Sequence, residues 1–117
     1  MTDGDGNCLF CAIVARDVPA DVVLETEASL AFRDINAQAP THVLVIPKTH
    51  QPHVAALAEH EPAALADLMA CAAAVADAEG LDGHYRLVFN TGSQVGQSVF
   101  HVHGHVLGGR PMGWPPG

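Results

Sequence analysis

An α+β fold is the class this chain predicts, with an antiparallel sheet of about five strands, one long helix and one short one. Three observations carry it: several short β-branched and apolar runs, a tight turn joining the first two, and one long stretch at helical spacing. Residues 22–26 (Val-Val-Leu-Glu-Thr) and 30–33 (Leu-Ala-Phe-Arg) are the first strands, closed into a hairpin through Glu27, Ala28 and Ser29. Residues 41–46 are β-branched and apolar and stop at Pro47, which reads as a central strand. Residues 52–57 predict a single helical turn. Glu61-Pro62 opens the long helix, with proline in its first turn. Leu65, Leu68, Met69, Ala72, Val75 and Ala76 then recur at helical spacing, and Gly80 ends it. Its flank of Ala63, Ala66, Ala70, Ala73 and Ala74 permits close approach of another backbone, or reflects helix propensity alone. Residues 85–90 and 100–107 are the last two strands.

Length and charge bound the function. A chain of 117 residues with 49% apolar content is the size of one domain with a packed core. We expect residues 1–7 to be a disordered tail and 8–117 a single domain. No run approaches the ~18 apolar residues of a membrane span. The acidic opening Met1-Thr-Asp-Gly-Asp-Gly-Asn7 has no apolar segment of the signal-peptide kind, so a cytoplasmic protein is expected. The formal net charge is −8, with Arg16, Arg33, Lys48, Arg86 and Arg110 as the fixed cations. Such a chain repels a nucleic-acid backbone. A single small nucleotide remains possible, because backbone amides, hydroxyls and imidazoles can hold it.

The chemistry concentrates near the C-terminus. His101, His103 and His105 alternate with Val102 and Gly104. On a strand they share one face, with neighbours about 6.6 Å apart, two strand rises. Just upstream, Gly92-Ser-Gln-Val-Gly96-Gln97-Ser98 is a Gly-rich loop whose N–H groups can approach a phosphate. A polar edge-strand face or a metal-chelating histidine tract are the blander readings. Cys8-Leu-Phe-Cys11 is a weak signal alone: a redox pair, half a zinc site, or two small buried residues. The redox reading requires a helix and a βαβ context that the pattern does not supply. Cys71 reads as packing, and His53, His60 and His84 as exposed surface residues.

The run from His101 to Leu107 resembles the histidine triad (HIT) superfamily. Gly108-Gly-Arg-Pro-Met-Gly-Trp114-Pro-Pro-Gly117 resembles its Hint branch, the purine nucleoside phosphoramidases. Residues 31–35, 40–48 and 88–90 and Gly96-Gln97-Ser98 match that branch too, so the resemblance covers about residues 8–117. Gly104 departs from it, since an apolar side chain is usual there; a local packing change is expected. The resemblance implies a HIT-like fold, a symmetric homodimer and cleavage of a nucleoside 5′-phosphoramidate at its α-phosphorus. His103 would be the nucleophile, with the His101 carbonyl holding its other nitrogen. His105 would contact the phosphoryl oxygens, and His42 would line the same pocket. Asn90 and the N–H groups of Gly96, Gln97 and Ser98 would hold non-bridging oxygens, and Ser98 would pass a proton to the departing amine. Asp34 would accept the ribose hydroxyls, although a turn-forming aspartate reads equally well from sequence alone. Phe10, Ile13, Phe32, Ile35 and Leu44 would wall the purine slot. Trp114 would border the partner's pocket.

The same resemblance pairs Cys8 and Cys11 with His50 and His101 as a structural zinc site. The third histidine separates the chain from the transferase branch, which carries Gln there. The Trp-Pro-Pro-Gly ending separates it from dinucleoside polyphosphate hydrolases, the runner-up; a nucleotide-binding scaffold with incidental turnover is the remaining alternative. No Lys or Arg lies inside the triad motif, so faster cleavage of P–N than of P–O–P bonds is expected.

Overall fold

The structure, a computed structural model, describes residues 8–117. The tail expected over residues 1–7 lies outside the described residues. Helix α1 (Leu9–Val14) is followed by β1 (Val22–Glu25), β2 (Ser29–Arg33) and β3 (Thr41–Pro47). Then come α2 (Val54–His60), α3 (Pro62–Ala78), β4 (Arg86–Phe89), a 3₁₀ turn (Ser93–Val95) and β5 (Gly104–Gly108). The strands form one sheet in the order β1-β2-β3-β5-β4, antiparallel at every pairing. Among the described residues no helix is long and apolar enough to cross a membrane.

The strand period of two divides the sheet into two faces with different work. Ala31, Val43, Val45 and Val106 turn to the long helix and pack on Leu68, Cys71, Ala72 and Val75. The intervening residues, Leu30, Phe32, Leu44 and Ile46, turn the other way and meet Phe10 and Ile13 of α1. His42 and His105 share that second face, since Leu44 pairs with His105 and His42 with Leu107. Each apolar residue on the helix side is thus followed by a residue that faces the other way, toward α1 and the histidines.

Three elements differ from the sequence expectation. Helix α1 is extra: it is six residues long and its N-cap is Cys8, whose sulfur accepts the Cys11 N–H at 3.4 Å. No Ser, Thr or Asp marks its start. The helix that the redox reading required is therefore present, but the sheet is wholly antiparallel and contains no βαβ unit. The short helix runs to His60, and His53 is its N-cap, accepting the Ala56 N–H at 3.2 Å, instead of a merely exposed residue. Strand β5 begins only at Gly104, because the Val102 N–H donates to Gln51 O at 2.9 Å and not to a sheet partner. In α3, Met69 points to solvent at 46% exposure while Cys71 takes a core position, and the alanine flank is exposed. Gly104 is the packing change expected: a Cβ there would lie 3.0 Å from both Leu87 and Phe89, which fill its space.

Candidate active site and metal centre

A cavity of about 340 Å³ opens on the second face of the sheet, between α1, β2 and the histidine segment. It brings together Phe10, Ile13, Phe32, Asp34, Ile35, Leu44, Gly96, Ser98, His103 and His105. Phe10 stands edge-on to both Phe32 and the His103 ring, with centroids 5.7 and 5.0 Å away. Ile35 is fully exposed at the rim, so it forms no enclosed wall. Asp34 satisfies both of its sequence readings. One carboxylate oxygen accepts the Asn36 N–H at 2.8 Å and makes the turn; the other lies 3.3 Å from His42 Nε2 and faces the site.

The three motif histidines do not surround one group. His101 is fully buried and turns toward the cysteines, because the chain before Gly104 has left the ladder. His42 takes its place beside His105, with ring centroids 5.2 Å apart.

Hydrogen bonds set the tautomers. His103 Nδ1 lies 2.8 Å from the His101 carbonyl, which can only accept, so this nitrogen carries the proton and Nε2 keeps its lone pair. The Gln38 N–H donates to His42 Nδ1 at 3.0 Å, so the neutral His42 carries its proton on Nε2. That N–H points at His105 Nδ1, 2.9 Å away, and His105 is left with its proton on Nε2. Adjacent imidazoles are thereby held in opposite states, one an acceptor and one a donor. Burial favours the neutral forms. It lowers His103 below the usual imidazole value against the His101 carbonyl and then Asp34, and lowers His42 against Asp34. His105 is pushed down to about 4 by burial, then by His103 and His42.

The Gly-rich loop departs from expectation. The Gly96 and Gln97 N–H groups are spent on Ser93 O and Gly92 O, at 3.2 and 3.1 Å. The Gln97 side chain, 3% exposed, accepts the Gly92 N–H at 2.9 Å and donates to Pro52 O at 2.7 Å and Val99 O at 3.2 Å. Gln97 thus braces the loop and does not line the cavity. Of the three expected N–H donors, Ser98's alone has no hydrogen-bond partner among the described residues. Gly96 adopts φ +106°, which disfavours other residues there, and a Cβ on it would sit 3.6 Å from Asn90 Nδ2. Asn90 itself lines a second cleft, of about 430 Å³, whose wall also contains His42 and His105. Trp114 is 83% exposed and lines neither cavity.

The four expected metal ligands do converge. One donor atom from each of Cys8, Cys11, His50 and His101 lies within 4.8 Å of the others. Cys8 Sγ is 3.3 Å from His101 Nδ1, and Cys11 Sγ is 3.5 Å from Nδ1 of both His50 and His101. Zn–S bonds of about 2.3 Å and Zn–N bonds of about 2.05 Å at tetrahedral angles separate S and N by about 3.6 Å. The His101 Nε2–H donates to Pro47 O at 3.0 Å, which leaves Nδ1 free to ligate. The donor set therefore fits a zinc ion. Burial, then the Cys8 thiol, pushes the Cys11 thiol up to about 11 without metal, and a dication reverses that preference. A second cluster, Asp34, His42 and His105, fits less well. Its two nitrogens are hydrogen-bonded at 2.9 Å, closer than the about 3.3 Å that two nitrogens keep across a tetrahedral metal. Cys71 is buried in the core, as expected.

Sequence reasoning missed Gln38, Arg86 and Arg110. Gln38 acts through its backbone, which leaves no signal in residue type. Arg86 was within reach: it alternates with Val88 and Asn90, so the period that places Asn90 at the cleft places Arg86 there too. Arg110 lines the same cleft from beyond the triad, so the absence of Lys or Arg from the motif does not leave the site without cations.

A family model described as HIT domain matches residues 15–112. An uncharacterised HIT-like protein of Synechocystis is 48% identical over 109 residues, covering 93% of this chain and 96% of its own length. A 14 kDa zinc-binding protein of Zea mays is 47% identical over 115 residues, covering 97% and 90%. The crystal structure of a HIT family hydrolase from Legionella pneumophila aligns with a TM-score of 0.90 at 51% identity, covering 95% of this chain and 100% of that one.

Proposed function

The chain belongs to the HIT domain family, and from that premise we propose that it is a nucleotide-binding hydrolase cleaving the P–N bond of purine nucleoside 5′-phosphoramidates. The observation that carries the reading is the opposed tautomers of His103 and His105 in one cavity. The reaction needs a lone pair to attack phosphorus and an N–H to receive the charge on its oxygens.

His103 Nε2 attacks the α-phosphorus, forming a P–N bond to the imidazole as the P–N bond to the amine breaks. His103 Nδ1–H stays on the His101 carbonyl and spreads the positive charge that forms. His105 Nε2–H and the Ser98 N–H donate to the phosphoryl oxygens. The Ser98 hydroxyl passes a proton to the amine, which departs neutral. Water then attacks the same phosphorus and gives a proton back to Ser98 Oγ as the P–N bond to His103 breaks, so the adduct resolves to the nucleoside monophosphate, free His103 and the serine hydroxyl. Asp34 receives the ribose, and Phe10, Ile13, Phe32 and Leu44 flank the base, with Ile35 at the rim and Asn90 at the far side of His105.

Cys8, Cys11, His50 and His101 would hold zinc as a closed structural site that ties α1 to the chain after β3. We also carry the homodimer that the family resemblance implies, for which the exposed face of α3 with Met69 is available; light scattering of the purified protein tests it. We treat residues 8–117 as the single domain.

The direct test uses adenosine 5′-phosphoramidate and intact-mass spectrometry of quenched enzyme. Wild type should accumulate a nucleotidyl adduct, and His103→Ala should form none while keeping its circular dichroism spectrum. An adduct on His103→Ala overturns the assignment. Dinucleoside polyphosphate hydrolysis is the second reading, favoured by Arg86 and Arg110 beside the cleft.

A further inference from the structure

We propose that the cleft between β4, β5 and the C-terminal tail binds an anionic portion of the leaving group, with Arg86 and Arg110 as its receptors. The proposal rests on the phosphoramidase reading and deepens it by naming a substrate class: conjugates whose leaving group carries a carboxylate or phosphate.

Charge placement is the first argument. The chain has a net charge of −8 and five fixed cations. Three of these are paired with carboxylates. Arg16 and Lys48 reach Glu25 at 2.6 and 2.8 Å, and Arg33 reaches Glu79 at 2.8 Å. Among the described residues, Arg86 and Arg110 have no carboxylate partner. They donate to carbonyls instead: Arg86 to Gly113 O at 2.9 Å, and Arg110 to Pro111 O and Gln38 O at 3.0 Å each. These tethers hold both guanidiniums in place yet leave N–H donors of each unspent.

Position is the second argument. Val88 pairs with His105 and Arg86 with Leu107, so Arg86 stands on the same face as His105, one row along the sheet. Two strand rises put that row about 6.6 Å away. The cleft holds about 430 Å³ and shares His105 with the cavity assigned to the nucleoside. A phosphorus held at His105 therefore lies between two pockets, one walled by Phe10, Phe32 and Leu44 and the other holding Arg86 and Arg110. Two cations in so acidic a chain are too few for a nucleic-acid backbone. They suit one anionic group.

The test is calorimetry with uncleavable adenosine 5′-carbamates of four amines. β-Alanine supplies a carboxylate, 2-aminoethylphosphonate a phosphonate, propylamine no charge and ethylenediamine a cation. We expect the two anionic ligands to bind about three- to tenfold tighter than the propyl ligand, the range for two solvent-exposed ion pairs, and the cationic ligand to bind weakest. The ratio should shrink toward one in 0.5 M NaCl. Arg86→Gln with Arg110→Gln should bring it to about one at low salt, and the corresponding lysine variants should keep part of it. The stronger of the two anionic ligands tells carboxylate from phosphate conjugates. Equal affinities across the series, with AMP still bound, overturn the subsite and leave the phosphoramidase reading standing. Failure of AMP and all four carbamates to bind overturns both.

Discussion

Replacing His42 by Asn isolates what the fourth histidine does. An Asn side chain can still accept the Gln38 N–H near the place of His42 Nδ1, so that buried donor keeps a partner. It cannot reach His105, and the 2.9 Å hydrogen bond to His105 Nδ1 is lost. A neutral, half-buried hydrogen bond contributes about 1 kcal/mol. That is about a fivefold bias in the His105 tautomer ratio, at about 1.4 kcal/mol per factor of ten. The rate of adduct formation should therefore fall by at most about fivefold in His42→Asn. Removing the donor altogether, in His105→Ala, should cost about a hundredfold or more. Quenched-flow single-turnover kinetics gives both numbers. ¹⁵N NMR of labelled histidine reads the cause, with protonated Nδ1 on His103 and protonated Nε2 on His42 and His105 in wild type. A His42→Asn defect as large as that of His105→Ala, or a wild-type His105 protonated on Nδ1, would refute the relay.

Elemental analysis of protein purified without chelator should find one zinc per chain, and Cys11→Ser should lose it with a lower melting temperature. Gln97→Ala strips partners from the Gly92 N–H and from Pro52 O and Val99 O, so it should destabilise by about 2–4 kcal/mol in urea, at about 1 kcal/mol for each of the three part-buried hydrogen bonds lost; a change under about 0.5 kcal/mol would show the brace is idle. His42 and His105 have folded values below the unfolded one near 6.5, so the unfolded chain binds more protons between about 6.5 and the His105 value of about 4. Stability should fall as pH drops through that window, and an unchanged urea midpoint between pH 7 and pH 4.5 would contradict the shifts.

The long helix is legible through its helical spacing, and the central strand through its unbroken β-branched, apolar run. Thr41–Pro47 is buried along its whole length, as its composition demands. The metal cluster was legible only through the resemblance, since Cys8 and His101 lie 93 positions apart and no local pattern joins them. Helix α1 was hidden by its length and its cysteine cap. The hardest feature to read was the loop: glycines advertise free N–H groups, but the 3₁₀ turn consumes those of Gly96 and Gln97. A side chain's identity does not say where its backbone donates. For the same reason Gln38 left no trace, and the alternation of histidines suggested a strand where the ladder had already ended.

The alternation that splits the sheet also protects it from mispairing. Slide β5 by one residue against β3, and Val106 would enter the aqueous cleft while His105 was driven into the leucine- and valine-lined interior beneath α3. An imidazole there would lose its His42 partner and find no other. The residues proposed for chemistry thus act as sentinels of alignment: a chain zipped up out of step could not bury them, and only the correctly paired sheet survives as a folded protein.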